Sequence, residues 1–327
     1  MPSPENIAAL DAVRAACRVC RAVSAGAIEH VTKVDESPVT VADFASQAVI
    51  VARLREQLGE TVVIGEESAE TLRSDDRLAD SVVEAARVVW PGATRDEVLD
   101  AIDAGAQRPD HGPYWTLDPI DGTKGFLRRE QYAVCLARIE GSTPTIGLLG
   151  CPNLPRDHTR PLDAADARGA VYVAWENGPV LEYSVDGDDP TEVPNATATI
   201  DGDLVVTISV ESGHTRVDHV DELVRRLGRP ARMIRCDSQA KYALVTRSQA
   251  HVYLRVPTKP DRFELVWDHA SGVVIAQRAG MRVTDLRGRP LDFSVPPSLS
   301  RNYGILCAHP SIHGELIAAI AELGYAG

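Results

Sequence analysis

Tyr114-Trp115-Thr116-Leu117-Asp118-Pro119-Ile120-Asp121-Gly122-Thr123 reads as an apolar strand that empties into an acidic turn. Pro119 fixes one backbone dihedral, so the chain bends sharply between two aspartates three positions apart. Both carboxylates can then face one point with the Ile120 carbonyl between them, an all-oxygen ligand set suited to a hard cation such as Mg²⁺. Gly122 and Thr123 follow at once. If their backbone N–H groups open a helix or a nest, they form an anion cradle beside the carboxylates. Taken alone, the same six residues also read as an ordinary turn, because Asp-Pro and Asp-Gly are common turn dipeptides.

Working outward, Ile7, Leu10, Val13, Cys17 and Cys20 recur at helical spacing and predict a helix from about Glu5 to Ser24, ended by Gly26. Phe44, Ala48, Val51, Leu54 and Leu58 predict a second helix from near Val41, which puts Asp43 in a first turn where the helix dipole tolerates a carboxylate. Thr61-Val62-Val63-Ile64 is a short buried strand that releases Gly65-Glu66-Glu67 at its end. The polar stretch from Ala69 to Pro113, broken at Trp90-Pro91-Gly92, predicts an inserted pair of helices. Tyr132 to Glu140 and Pro144 to Gly150 form an antiparallel pair around Gly141-Ser142. Beyond Cys151-Pro152-Asn153, strands at 204–210, 231–235, 252–256 and 303–307 alternate with helices beginning near Ser238, Trp267 and His313. The chain is thus expected to be α/β, with an α+β part over residues 1–150 and an α/β part over 151–327.

With 327 residues, 44% hydrophobic and 25% charged, the chain can bury a large core. It carries no apolar run long enough to cross a bilayer and no leader pattern, so the expected address is the cytoplasm. A formal charge of −13 argues against a nucleic-acid polymer as partner, because phosphate backbones are bound by clustered Lys and Arg. Cys17 and Cys20 could form a redox or zinc pair, but they lie in an alanine-rich helical pattern with no second such pair.

Glu66 at a strand end, Asp43 at a helix start and Asp268 in Trp267-Asp268-His269-Ala270 offer further acids. If they converge on Asp118 and Asp121, five carboxylates repel one another strongly, and cations are the natural remedy. Gly65-Glu66-Glu67, Asp118-Pro119-Ile120-Asp121-Gly122-Thr123 and Trp267-Asp268, in that order, resemble the inositol monophosphatase superfamily of lithium-sensitive phosphatases. The stretches Lys124-Gly125-Phe126-Leu127-Arg128 through Cys135, Gly150-Cys151-Pro152-Asn153-Leu154, Asp237 to Tyr242 and Asp268-His269-Ala270 look like its 3'(2'),5'-bisphosphate nucleotidases. The resemblance covers nearly the whole chain and implies a layered α/β/α/β/α sugar-phosphatase fold. It also implies two or three Mg²⁺ ions on Glu66, Asp118, the Ile120 carbonyl, Asp121 and Asp268, with Glu67 acting through water or as a solvated neighbour. Asp43 and Thr123 would activate the attacking water, and Gly122 and Thr123 amides would hold the phosphate.

A nucleotide with two phosphates also needs donors for the second one. Ser238 and Lys241, three apart on a predicted helix, share a face, and Arg255 follows on a strand with a fork suited to phosphate. His214 matches a further substrate position by resemblance, although Gly213 stands where the family tends to carry a small hydroxyl residue. Lys124, Arg128 and Arg129 either tune the field at the cleft mouth or form a solvated basic stretch. The expected activity is removal of the 3'-phosphate from adenosine 3',5'-bisphosphate and from 3'-phosphoadenylyl sulfate, with lithium and sodium inhibiting. The alternatives are an inositol or sugar phosphate phosphatase using the same metals, and a nucleotide-binding protein without catalysis.

Overall fold

The computed structural model describes residues 3–26, 30–32, 38–107, 112–164, 166–187, 189–197, 199–200, 202–211, 217–259 and 263–326. Ser3 caps the first helix, α1 (Pro4–Ala25), by accepting from Asn6 N–H, and Gly26 ends it. Its alanine-rich face is buried against α2 (Val41–Leu58). A short antiparallel ribbon, β1 (His30–Thr32) with β2 (Pro38–Thr40), leads into α2. The inserted segment after β3 (Val63–Gly65) holds three helices rather than the expected pair: α3 (Glu70–Ser74), α4 (Asp76–Arg87) and α5 (Arg95–Asp103). Asp75 caps α4 and starts a new helix one residue after α3 stops, a break that polar periodicity does not reveal.

Strand β4 (Tyr114–Asp121) pairs in parallel with β3 and antiparallel with β5 (Ala133–Glu140), and the short α6 (Thr123–Leu127) lies between. The pair β5 and β6 (Thr143–Cys151) closes at Gly141-Ser142 with Glu140 opposite Thr143, and Gly141 takes the positive φ of 61° that a two-residue hairpin needs. The sheet continues through β7 (Ala170–Ala174), β8 (Leu181–Tyr183) and β9 (Thr191–Glu192), giving the order β3-β4-β5-β6-β7-β8-β9. The first sheet therefore runs past Cys151-Pro152 as far as Glu192, and the second sheet begins at Leu204. The cause is the buried run Ala170 to Ala174, which pairs back onto β6.

The second sheet has the order β11-β10-β12-β14-β13, from β10 (Leu204–Ile208), β11 (Ala231–Arg235), β12 (Val252–Arg255), β13 (Arg282–Thr284) and β14 (Ile305–Ala308). Between the sheets lie α8 (Ala240–Thr246) and α9 (Ala270–Arg278), with α9 on β5, β6 and β7 and α8 on β10, β12 and β14. On the far face α7 (Val217–Leu227) and α10 (Pro310–Glu322) pack on each other and cover β14. The result is the layer sequence α/β/α/β/α expected from the sequence. Gly272 permits the middle layer, because a Cβ there would stand 2.1 Å from a ring carbon of Tyr242 where α8 crosses α9. No described helix is long and apolar enough to cross a membrane.

Candidate active site

In an unbroken strand, residues three apart point to opposite faces, so Asp118 and Asp121 should not meet. The pairing of β4 with β5 shifts between them: Asp118 stands opposite Cys135 and Asp121 opposite Ala133, so one extra residue bulges on β4. The bulge brings both carboxylates into one cleft, and Pro119 tolerates it because the ladder is already interrupted there. Ile120 N–H donates to Asp118 Oδ1 at 3.1 Å, and Ser46 Oγ on α2 donates to the Pro119 carbonyl at 3.1 Å. Gly122 follows at φ 85°, and a Cβ there would stand 3.0 Å from the Ser238 Cβ across the cleft. That is both a left-handed conformation and a close approach, and only glycine accepts the two together.

Asp43 sits in a capping box at the start of α2: its Oδ2 accepts from Thr40 N–H at 2.8 Å and from Thr40 Oγ1 at 2.6 Å. Its Oδ1 lies 3.4 Å from Thr123 Oγ1, whose hydroxyl is also 3.2 Å from the Ile120 carbonyl. Glu66 leaves the end of β3 and lines the same cleft, as does Asp268 just before α9. Glu67 is not a solvated neighbour: it is 5% exposed, with its backbone clamped by Gln47. Gln47 Nε2 donates to the Glu67 carbonyl at 2.6 Å and to that of Ile102 at 3.0 Å, and its Oε1 accepts from Glu67 N–H at 3.0 Å.

Burial, followed by repulsion from Glu66, Asp121, Asp268 and Asp43, pushes Asp118 well above the usual carboxylate range. Asp268 moves the same way, through burial and then Asp121, with Arg255 opposing. Asp121 is pushed up to about 6 by burial, restrained by Lys241, the Gln239 N–H and Arg255. Carboxylates held against their own charge, grouped around a backbone carbonyl, are a donor set that fits divalent cations bound through oxygen. The thiols of Cys17 and Cys20 are buried and free, with Cys17 pushed up to about 12 by burial, which leaves no reactive thiolate.

The facing wall is basic. Lys241 is 3% exposed, lies 5.3 Å from the centre of the Tyr253 ring, and is pulled below its usual pKa by burial. Burial works against Arg255 as well, yet Glu264 beside it holds its pKa above the usual value. Ser238 is not on a helix face with Lys241, because α8 begins only at Ala240 and Ser238 takes φ 66° in the preceding turn. That turn, rather than helical spacing, brings both residues to the cleft. His214 lies outside the described residues.

The basic stretch is exposed but held in place by acids at the rim, and Lys124 lines the cleft. Arg128 pairs with Asp237, with Glu211 at 2.7 Å and with Glu130 at 2.7 Å, while Lys124 lies 3.4 Å from Glu211. These contacts tie the turn after α6 to the ends of β10 and β11 at the rim. Arg129 donates to the Gly26 carbonyl at 3.2 Å.

Two residues outside the expected set hold the walls in register. Gln239 N–H donates to Asp121 Oδ2 at 2.5 Å, and its side chain reaches the Trp267 carbonyl at 2.8 Å and accepts from Ser271 at 2.8 Å. It links the bulged strand to the turn carrying Asp268. Glu264 lies 2.8 Å from Arg255 and 3.2 Å from His269. The only local signal for Glu264 is its place four residues before Asp268, and Gln239 lies uncharged between Asp237 and Lys241.

The family model described as the inositol monophosphatase family matches residues 3–325. A 3'(2'),5'-bisphosphate nucleotidase of Schizosaccharomyces pombe is 36% identical, covering 92% of this chain and 87% of that one. A 3'(2'),5'-bisphosphate nucleotidase of Dictyostelium discoideum is 34% identical over 96% of this chain and 95% of its own. Among solved structures, CysQ of Bacteroides thetaiotaomicron superposes with a TM-score of 0.61 at 21% identity, covering 93% of this chain and 96% of that chain. The five-layered fold and these matches agree, and the chain belongs to the inositol monophosphatase family, alongside its 3'(2'),5'-bisphosphate nucleotidases.

Proposed function

We propose that this protein is a Mg²⁺-dependent 3'(2'),5'-bisphosphate nucleotidase that removes the 3'-phosphate of adenosine 3',5'-bisphosphate, with 3'-phosphoadenylyl sulfate as a second substrate. The observation that carries this reading is a single cleft with a carboxylate wall on one side and buried Lys241 and Arg255 on the other. The relatives named above support the nucleotide, and the family is generally metal-dependent. Glu66, Asp118, the Ile120 carbonyl, Asp121 and Asp268 would hold the cations. When bound, divalent cations acidify water and offset the negative charge of a phosphoryl group.

The chain's own residues then manage one proton and two phosphates. Capping fully occupies Asp43 Oδ2, which leaves Oδ1 facing the Thr123 hydroxyl. Thr123 gives its proton to Asp43 and takes one from the attacking water, a short relay from water to carboxylate. The water oxygen bonds to phosphorus as the bond to the 3'-oxygen breaks, releasing inorganic phosphate, and the departing alkoxide takes a proton from a solvent water to become the 3'-hydroxyl of AMP. The backbone N–H groups of Gly122 and Thr123 hold the equatorial oxygens. Ser238, Lys241 and Arg255 bind the 5'-phosphate, which makes the second phosphate a condition of tight binding.

Phosphate release from adenosine 3',5'-bisphosphate and from inositol 1-phosphate, measured side by side with Mg²⁺ and with or without Li⁺, tests the reading. The bisphosphate should turn over faster, and Li⁺ should inhibit. Faster release from inositol 1-phosphate would transfer the assignment to an inositol phosphatase. Tight nucleotide binding with no release above a blank would leave a binding protein.

A further inference from the structure

Arg255 ends β12 and lines the cleft with a side chain only 13% exposed. A guanidinium so far from water needs an anion beside it even before a phosphate arrives, because an unpaired charge in a protein interior is costly. Glu264 is that anion: its Oε2 lies 2.8 Å from Arg255 Nε, and its side chain is 8% exposed. The same oxygen lies 3.2 Å from His269 Nε2. An ionised carboxylate can only accept, so Nε2 carries the proton, and Nδ1 is left to accept from the Tyr242 hydroxyl at 2.9 Å.

His269 follows Asp268 directly, and ligand atoms of Glu264, Asp268 and His269 lie within 4.8 Å of one another. The Arg255 charge beside Glu264 makes this trio a poor cation site, so its geometry is that of a brace. One buried carboxylate touches the arginine of the basic wall and the histidine next to an aspartate of the acidic wall.

We propose that Glu264 is a positioning residue for recognition of the second phosphate, fixing the Arg255 guanidinium at a set distance from Asp268. The inference rests on the bisphosphate reading given above. A spacing fixed before binding removes part of the ordering cost of a substrate with two phosphates, and gives nothing to a substrate with one. Glu264 thereby acts on selectivity through Arg255 rather than on the reacting atoms.

The test measures kcat and KM for adenosine 3',5'-bisphosphate and for 2'-AMP in wild type, Glu264→Ala, Glu264→Gln, Arg255→Ala and the Arg255→Ala, Glu264→Ala double variant. The ratio of kcat/KM between the two substrates should fall at least tenfold in Glu264→Ala, carried mainly by KM for the bisphosphate. Glu264→Gln keeps the volume and should lower the ratio in the same direction. In the Arg255→Ala background, Glu264→Ala should lower the ratio no further. Equal losses on both substrates, an unchanged ratio in Glu264→Gln, or additive effects in the double variant would each overturn the inference while leaving the function standing. A wild type that releases no phosphate from the bisphosphate would overturn the function and this inference with it.

Discussion

The wall built on β4 and α2 draws Asp118, Asp121 and Thr123 from six consecutive residues and Asp43 from one helical turn, whereas the facing wall assembles Ser238, Lys241, Arg255 and Glu264 from a turn, a helix, a strand and a loop. On the acidic side Asp118, Asp121 and Asp268 are raised in pKa by burial first and then by neighbouring like charge. The basic wall has its counter-charge built in, since Glu264 sits beside Arg255 and is held at about 2 by Arg255 and His269 against the effect of burial. One side gathers like charge that cations would offset, and the other carries its balancing acid as an ion pair before a ligand arrives. A metal-dependent site can be locally encoded because the ion supplies the missing cohesion, but a site that reads an anion through buried cations must bring its own balancing acid.

Breaking the acidic wall should have the largest effect. Asp118→Asn should lower turnover by roughly a thousandfold or more, because it removes a charge that the cations require. In chelator the same change should raise the melting temperature, because Asp118 is repelled by four other carboxylates in the cation-free protein. Phosphate release and thermal melts with Mg²⁺ and with chelator check both halves. Near-normal turnover would remove Asp118 from the site.

Breaking the basic wall should be milder and selective. Lys241→Ala should reduce kcat/KM for the bisphosphate by roughly 10- to 100-fold, the range expected for one charge-assisted hydrogen bond, and should spare a monophosphate. Equal losses on both substrates would show that Lys241 does not read the second phosphate.

The finest comparison is the pH dependence of stability in chelator, where the two walls have opposite signs. Asp121 has a folded pKa of about 6 against 3.8 when unperturbed, so its penalty is fully present above about pH 6 and gone below 3.8. Glu264 has a folded pKa of about 2 against 4.5, so its contribution is complete above 4.5 and lost as pH falls toward 2. Melting temperature should rise as pH drops from 7 toward 5 and fall below 4. Asp121→Asn should flatten the upper limb and Glu264→Gln the lower one. Parallel profiles for wild type and both variants would show that neither wall contributes as described.

Much of the acidic wall was legible because its signals are local. A proline between two aspartates, a capping residue three positions before Asp43 and a short apolar run ending at Glu66 each declare their structure within a few residues. The turn at Ser238 is not legible, because a non-glycine residue at φ 66° leaves no mark in the sequence. The strands β7 to β9 are not legible either, because β8 and β9 span three and two residues, too short for a periodic pattern, and all three depend on the edge that β6 offers.

The sequence by itself determined the alternation of helices and strands, the acidic turn and the motifs that mark the family, because each depends on spacing along the chain. Only the tertiary structure decided that Asp118 and Asp121 share a face, since the bulge exists only in the pairing of β4 with β5. The same holds for Glu264, Arg255 and His269, which form one brace only where the end of β12 meets the turn before α9. Charge balance in a buried site is a property of distances, and distances between remote segments are fixed by packing rather than by local spacing.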